Sequence, residues 1–254
     1  MTRLLLTSAL LLGTAASAFA ALLTPEGEAW EAVLERRLSA PDPATGLIRF
    51  DYAGLTTSDR AALDAYVAAL AAMEEPEDDS EASAYWANLY NAVTVQTVAD
   101  SYPVESIKDI GGGLFSSGPW KSDRVTVRGE ALSLDDIEHG ILRKRYPSPL
   151  VHYTVNCASV GCPNLLPKLW RGETLDADRE AAARAFVNSP RGVMIRDGKA
   201  TVSSIYSWFQ SDFGGSRASV MDHLRDYADP ELAEQLEGIR KYSKHDYDWS
   251  LNGQ

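Results

Sequence analysis

The stretch from Glu81 to Tyr102 has apolar residues at helical spacing but no continuous polar face. On a wheel of 100° per residue its aromatic and aliphatic side chains surround the axis, which predicts a helix buried inside the protein. Its exceptions, Glu81, Asn88 and Asn91, fall on one side. An unpaired buried polar group costs roughly 1–3 kcal/mol. The two amides are therefore predicted either to hold the backbone of an irregular loop or to bind a ligand.

Amphipathic patterns predict further helices on both sides of this segment. Thr24-Pro25 is typical of a helix start, and a second helix is predicted over Thr57 to Met73. An acidic linker, residues 74–79, then separates a helical preface from the main body. Downstream, helices are predicted at residues 134–145, 174–188, 205–209 and 216–227, with hairpins at 124–132 and 193–203.

The segment LVHYTVNCASVGCP, residues 150–163, holds both cysteines of the chain. Apolar and polar residues alternate from Val151 to Asn156, which predicts a half-buried strand. The loop that follows carries Cys157 and Cys162. With the helices and hairpins, this pattern predicts an α+β fold: a mostly helical single domain with a central buried helix, a small sheet and hairpins.

The helix that a Ser133 capping box opens carries two candidate site residues. Glu138 falls inside its apolar arc and is predicted to point inward, as a structural partner of an amide or arginine or as a catalytic group. His139 lies about 100° further round, at the border of the apolar face. Asp135 stands one turn before it and can orient it.

The N-terminus is typical of a secretory signal peptide. Arg3 precedes a mostly apolar run, and Ala18-Phe19-Ala20 has the spacing of a cleavage site. The run is shorter than the roughly 20 residues that span a bilayer. We therefore expect residues 1–20 to be removed, residues 21–80 to form the helical preface, and residues 81–254 to form the main domain. The mature protein is expected in the periplasm or secreted, with no membrane span.

The charge of the chain excludes some partners. The formal net charge is −12, and the basic run at residues 143–145 is short. Nucleic acid is therefore not an expected partner. The expected partner is an unknown small molecule or peptide. A phosphate-binding loop would need a Gly-Lys-Ser/Thr ending, which is absent, so no cofactor is predicted.

The two cysteines allow three interpretations. In the first, Cys157 and Cys162 form a disulfide, because an exported protein with an even cysteine count favours pairing. The loop between them would have to fold back to bring the two Cα atoms within about 4.4–6.8 Å.

The second interpretation is nucleophilic catalysis with a papain- or transglutaminase-like site. On an extended strand, His152 and Cys157 would lie on opposite faces, so His139 is the better predicted base for Cys157. Cys162 could meet His152 if the loop turns back. Asp248 or Asn252 in the aromatic tail could orient the histidine.

The third interpretation is a binding module without catalysis, with the numerous aromatic residues forming a ligand pocket. A metal site built from the cysteines and histidines is not predicted, because their spacing is not that of a zinc motif.

The chain also resembles the domain-of-unknown-function family 547. The blocks that carry the resemblance include YWANLYNAVTVQTV, LSLDDIEHGILR, VHYTVNCASVGCPNL and the closing YDWSLN, which together span residues 85–252. The resemblance implies no settled reaction. It points to seven residues: Asn88, Asn91, Glu138, His139, Asn156, Cys157 and Cys162.

Together these patterns predict one site where three segments converge. The catalytic candidates are Cys157, His139, Glu138 and Cys162. The binding candidates are Asn88, Asn91, His152, Asn156 and Asp248. The expected activity is a cysteine-dependent hydrolase or acyl transferase, and the alternative is a disulfide-stabilised binding module.

Overall fold

A computed structural model describes residues 24–111 and 118–254. The predicted signal peptide, residues 1–20, lies outside the described residues. In the described part the fold is mostly helical and has two small sheets, one antiparallel and one mixed. The predicted α+β class is therefore confirmed. The α-helices are α1 (Pro25–Arg37), α2 (Thr57–Ala72), α3 (Asp79–Ser101), α4 (Arg143–Arg145), α5 (Leu175–Val187), α6 (Ile205–Trp208), α7 (Arg217–Tyr227) and α8 (Pro230–Gln235).

The first two helices begin where their caps predict. The Thr24 hydroxyl accepts a hydrogen bond from the Gly27 N–H at the start of α1, and Pro25 occupies the first helical position. Thr56 opens α2 with a capping box that Asp59 completes. The Asp59 carboxylate also binds Arg36 and Arg37 at the end of α1. One buried carboxylate therefore caps α2 and ties the two helices together.

Helix α3 runs through the main core, as its pattern predicted. Nearly every side chain from Glu81 to Ala99 is buried. Side chains of α1 and α2, including Trp30 and Leu63, belong to the same hydrophobic cluster as those of α3. The helical preface and the main body therefore share one core. No helix in the described ranges is both long and apolar enough to cross a membrane.

The predicted hairpin and the helix after it are both present. Strands β1 (Val125–Val127) and β2 (Glu130–Leu132) pair antiparallel around Arg128 and Gly129, whose φ angles are 50° and 89°. Ser133 then forms the predicted capping box with Asp136. The following turn, Asp136–Leu142, is a π-helix that passes into α4. Such wider turns are rare and often lie at functional sites.

The prediction of a strand from Val151 to Asn156 is wrong. Pro149–Tyr153 instead forms a 3₁₀-helix, with the Ser148 hydroxyl capping the Leu150 N–H and Pro149 at its first position. Both the apolar and the polar residues of this segment are buried. The alternation therefore did not separate a core face from a solvent face, and strand periodicity was not informative here.

A second core surrounds α5, α7 and a three-stranded sheet. Strand β3 (Val193–Arg196) pairs antiparallel with β4 (Lys199–Ser203), and β5 (Lys244–Asp246) adds parallel to β4. The aromatic tail docks on the body, as predicted. Leu251 bridges Ser159 in the cysteine loop, and Gly253 bridges Phe50. The tail is thereby held against the loop that carries both thiols.

Candidate active site

A cavity of about 180 Å³ lies where the π-helix, the cysteine loop, the α6 region and the C-terminal tail converge. Five of the predicted site residues line it: Glu138, His139, His152, Cys157 and Cys162. The other lining residues are Tyr90, Trp120, Asp135, Val155, Ile205, Trp208, Phe209, Tyr247 and Trp249. Segments far apart in the sequence therefore meet at one cavity beside the cysteines.

The amide of Asn91 builds the cysteine loop and does not line the cavity. Its Nδ2 donates to the Thr154 carbonyl over 2.8 Å, and its Oδ1 accepts from the Asn156 N–H over 2.8 Å. Asn156 in turn donates to the Pro163 carbonyl and accepts from the Ala158 N–H. These two side chains satisfy the backbone of an irregular segment, which is the structural role that buried amides commonly have.

Asn88 and Asp248 also lie outside the cavity lining. The Asn88 amide makes two hydrogen bonds to the backbone of Trp170. The Asp248 carboxylate accepts from the Ser250 N–H over 2.9 Å and so shapes the tail itself. Its neighbour Tyr247 lines the cavity instead.

Both cysteines are free, so the predicted disulfide is not formed in this structure. The loop does fold back, as a bridge would require. The Cys157 N–H donates to Cys162 Sγ over 3.0 Å, and Ala158 has a φ of 59° in the turn between them. Cys162 is 4% exposed, whereas Cys157 is partly exposed. Cys157 is therefore the more exposed of the two cysteine residues.

The surroundings of the two sulfur atoms separate their pKa values. A hydrogen bond from Cys162, with further bonds from Ser159 and Tyr247, lowers the pKa of Cys157 despite its burial. Burial raises the pKa of Cys162 well above its usual range. The Tyr247 hydroxyl lies 3.0 Å from Cys157 Sγ, and the Ser159 hydroxyl lies 3.2 Å from it. Cys157 is thus the sulfur atom that the site favours as a thiolate.

Glu138 points inward, as predicted, and is 9% exposed. It interacts with the buried Tyr90, whose pKa is raised first by burial and then by the negative charge of Glu138. His139 lies at the border, with Nδ1 3.6 Å from Glu138 Oε1 and Nε2 3.8 Å from Asp135 Oδ1. Arg143 Nη1 is 3.3 Å from His139 Nδ1. Because a guanidinium only donates, this contact makes Nδ1 the acceptor and leaves the hydrogen on Nε2.

His152 is held by a carboxylate that the sequence analysis missed. Its Nε2 lies 2.9 Å from Asp212 Oδ2, and Arg143 binds both oxygens of the same carboxylate. Hydrogen bonds from His152 and Arg143 lower the pKa of Asp212 well below its usual range. The Phe209 ring stacks on His152 at 4.3 Å. Asp212 lies in a turn after α6 and had no local pattern to mark it.

In the part of the chain that the structure describes, neither sulfur makes a hydrogen bond to a histidine, so a preformed cysteine–histidine ion pair is not observed. The same described ranges contain no group of three or more His, Cys, Asp or Glu side chains arranged to hold a metal ion. The side chains that line the cavity carry thiol, imidazole, carboxylate and hydroxyl groups.

Comparison with protein families matches residues 75–187 to the family described as "Protein of unknown function, DUF547". The match covers α3, the π-helix and the cysteine loop. It ends before Asp212 and the C-terminal tail, both of which contribute to the site. No curated protein and no solved structure matches the chain.

Proposed function

Since residues 75–187 assign the chain to the DUF547 family, which is described without a reaction, we propose from the cavity that the protein is a cysteine-dependent hydrolase or acyl transferase. Cys157 is the proposed nucleophile. It is the thiol with the lowered pKa, it lines the cavity, and Tyr247 and Ser159 supply hydrogen-bond donors to its thiolate. The buried Cys162 serves as the thiol that stabilises it.

The proposed base is His152, held by Asp212. A carboxylate only accepts hydrogen bonds, so the contact with Asp212 makes Nε2 the donor and leaves Nδ1 of the neutral ring to accept a proton. His139, the base expected from the sequence, already accepts a hydrogen bond from Arg143 at Nδ1. The observation that carries this proposal is that a thiol and an imidazole line one cavity and that a carboxylate is hydrogen-bonded to the imidazole.

The proposed reaction has two steps. His152 takes the proton of the Cys157 thiol, and the resulting thiolate attacks the acyl carbon of a thioester, ester or amide. The bond to the leaving group breaks, and protonated His152 gives that group its proton. Water or an amine then attacks the thioester on Cys157, and His152 takes up the proton that this second nucleophile loses. Attack by water makes the protein a hydrolase, and attack by an amine makes it a transferase.

Intact-protein mass spectrometry after mixing with p-nitrophenyl acetate tests this proposal. We expect one acetyl group on Cys157, followed by turnover beyond one equivalent. The Cys157→Ala variant should lose both, and His152→Asn should acylate more slowly. The proposal fails if Cys157→Ala turns over the ester as fast as the wild type, or if the thiol reacts no faster than a free cysteine derivative.

A binding module without catalysis is the second candidate. It is favoured by the absence, among the described residues, of a hydrogen bond between either sulfur and a histidine. Its disulfide-stabilised form requires Cys157 and Cys162 to be oxidised after folding. Alkylation of the unreduced protein after denaturation decides this point, because two alkylated cysteines exclude the disulfide and an unmodified pair supports it.

Export is the remaining part of the proposal. Arg3, the apolar run and the Ala18-Phe19-Ala20 site support a periplasmic or secreted protein that acts on a small molecule or peptide. N-terminal sequencing of the mature protein tests it. A chain that begins at Ala21 is expected, and a chain that still begins at Met1 would contradict export.

A further inference from the structure

The wall of the cavity is made largely of aromatic rings from separate segments. Trp120 precedes the β1–β2 hairpin, Trp208 ends α6, and Trp249 lies in the tail. The rings of Trp208 and Trp249 stack at 5.6 Å with 27° between their planes, and Trp120 meets Trp249 edge-on at 5.5 Å. Trp208 is 48% exposed although it is a large apolar residue. The mouth of the cavity therefore presents a packed and accessible indole surface.

The charged groups of the cavity have one sign. Asp135 and Glu138 line it, and no lysine or arginine belongs to its described lining. Arg143 lies behind His139, but both oxygens of Asp212 bind its guanidinium. Lys108 sits 5.0 Å over the Trp249 ring without lining the cavity. In the described lining the basic side chain that the two carboxylates contact is His139, at 3.8 Å from Asp135 and 3.6 Å from Glu138, and it is cationic only when protonated.

We propose that this cavity selects substrates that carry an alkylammonium group, such as a lysine side chain or another primary amine, next to the reacting acyl bond. The proposal rests on the proposed function for the reaction itself, and adds the class of substrate. The indole faces attract a cation through their quadrupoles, and Asp135 and Glu138 supply the opposite charge. The hydrocarbon stem of a lysine side chain can lie along the indoles with its ammonium group at the carboxylates.

The overall charge of the protein favours the same class of ligand. The formal net charge of −12 raises the local concentration of cations around the molecule. An anionic ligand would meet both the negative cavity and the negative surface.

Isothermal titration calorimetry with the Cys157→Ser variant tests binding without turnover. The probes are Nα-acetyl-lysine methylamide and two neutral analogues of similar length, the norleucine and the Nε-acetyl-lysine derivatives. We expect the lysine probe to bind about tenfold tighter than either analogue. This preference should shrink as sodium chloride is added, because salt screens the partly exposed charges.

Variants of the cavity carboxylates identify the groups that bind the cation. Asp135→Asn and Glu138→Gln should each reduce the preference for the lysine probe. Glu180→Gln is the matched control, because it removes one exposed carboxylate on α5, outside the cavity. Thermal unfolding of each variant confirms that it is folded. Because Glu138 is buried, the more exposed Asp135 keeps the test valid if Glu138→Gln unfolds.

The result separates this inference from the proposed reaction. Equal or tighter binding of the norleucine probe to the folded Cys157→Ser protein would overturn the inference, even if the wild type turned over esters. A clear preference for the lysine probe with no acylation of wild-type Cys157 would support the binding site and refute the proposed reaction.

Discussion

The imidazole of His152 donates from Nε2 to the carboxylate of Asp212 across 2.9 Å, although the two residues are 60 positions apart in the chain. The ring is also stacked on Phe209, at 4.3 Å and 20°. Arg143 binds the same carboxylate from the π-helix side of the cavity through Nε and Nη2. The orientation of His152 is therefore fixed by a hydrogen bond and a stacking contact, and Arg143 holds the carboxylate that makes the hydrogen bond, as a positioned base requires.

Replacing Asp212 with asparagine should disable the proposed base. The asparagine cannot balance the charge of Arg143, and it no longer holds the His152 imidazolium. We expect the rate of acyl transfer from p-nitrophenyl acetate to fall by at least about a hundredfold. Asp222→Asn is the control, because Asp222 pairs with Arg225 on the exposed face of α7. A variant of Asp212 with the activity of the wild type would remove His152 from the mechanism.

Asp212 should also contribute to stability in a pH-dependent way. Its pKa is lowered in the folded state by hydrogen bonds from His152 and Arg143. A carboxyl group with a depressed folded pKa stabilises the protein above its unfolded pKa, about 4, and this contribution is lost as the pH falls towards the folded value. The difference in free energy of unfolding between the wild type and Asp212→Asn should therefore be constant near neutral pH and shrink below about pH 4.

Urea unfolding at a series of pH values measures this difference. Asp59 also has a lowered pKa, through bonds to Thr56, Arg36 and Arg37, and so contributes in the same acidic range. Comparing the wild type with one variant cancels that contribution. A difference that stays the same in acid would mean that Asp212 is not ionised in the folded protein.

The thiol of Cys157 should react with iodoacetamide at a lower pH than a cysteine in an unfolded peptide. Its pKa is lowered by hydrogen bonds, with Cys162 the largest contributor and Ser159 and Tyr247 following. The Tyr247→Phe variant removes one of these donors, so its Cys157 alkylation profile should move to higher pH. Mass spectrometric mapping of alkylation against pH measures both thiols separately. The buried Cys162 should stay unmodified until the protein unfolds.

An unchanged profile in Tyr247→Phe would show that the tyrosine does not stabilise the thiolate. Tyr227→Phe is the matched control. Tyr227 lies at the end of α7, against the second core, and does not line the cavity.

The sequence predicted the elements whose patterns are local. Helix α3 was predicted because apolar residues surround its axis, and the first helix because Thr24 and Pro25 form a typical start. The segment at residues 150–156 was predicted wrongly, because its apolar and polar residues from Val151 to Asn156 are all buried, so their alternation did not mark a solvent-facing side. The π-helix was predicted as an ordinary helix, since its capping box and apolar arc are those of an α-helix.

The site was predicted only in part, because its partners are distant in the chain. Glu138 and His139 could be found from the face of one helix. Asp212 could not, because its role depends on His152 and no local pattern records that contact. Asn91 was found as a buried amide, but a sequence does not distinguish a loop partner from a ligand partner. In the tail, Tyr247 and not Asp248 reaches the cavity.

Replacing Asn91 with alanine should destabilise the protein through the cysteine loop. The change leaves the Thr154 carbonyl and the Asn156 N–H without their partner in a buried region. An unsatisfied buried group costs about 1–3 kcal/mol, so we expect a loss of about 2–4 kcal/mol in the free energy of unfolding. Gln96→Ala is the control on the same helix, because Gln96 bonds to Asp64 at the exposed surface. Comparable losses from both variants in urea unfolding would contradict this role.

Gly161 sets how closely the C-terminal tail approaches the cysteine loop. Its N–H donates to the Asp248 carbonyl over 2.8 Å, and a Cβ atom at this position would lie 2.9 Å from the Asp248 nitrogen and 3.0 Å from the Tyr247 ring. Gly161→Ala should therefore push the tail outward and destabilise the fold by about 1–3 kcal/mol. Gly140→Ala is the control, because a Cβ atom there would have no neighbour within 4 Å and the residue sits in a helical turn. That variant should be neutral or slightly stabilising.

The displacement of the tail also has a consequence for the thiol. If Gly161→Ala moves Tyr247 away from Cys157, it should shift the pH profile of Cys157 alkylation in the same direction as Tyr247→Phe. The double variant should then shift that profile no further than Tyr247→Phe alone, because both changes remove the same hydrogen bond. Additive shifts would instead mean that Gly161 acts on Cys157 through the loop backbone, independently of the tail.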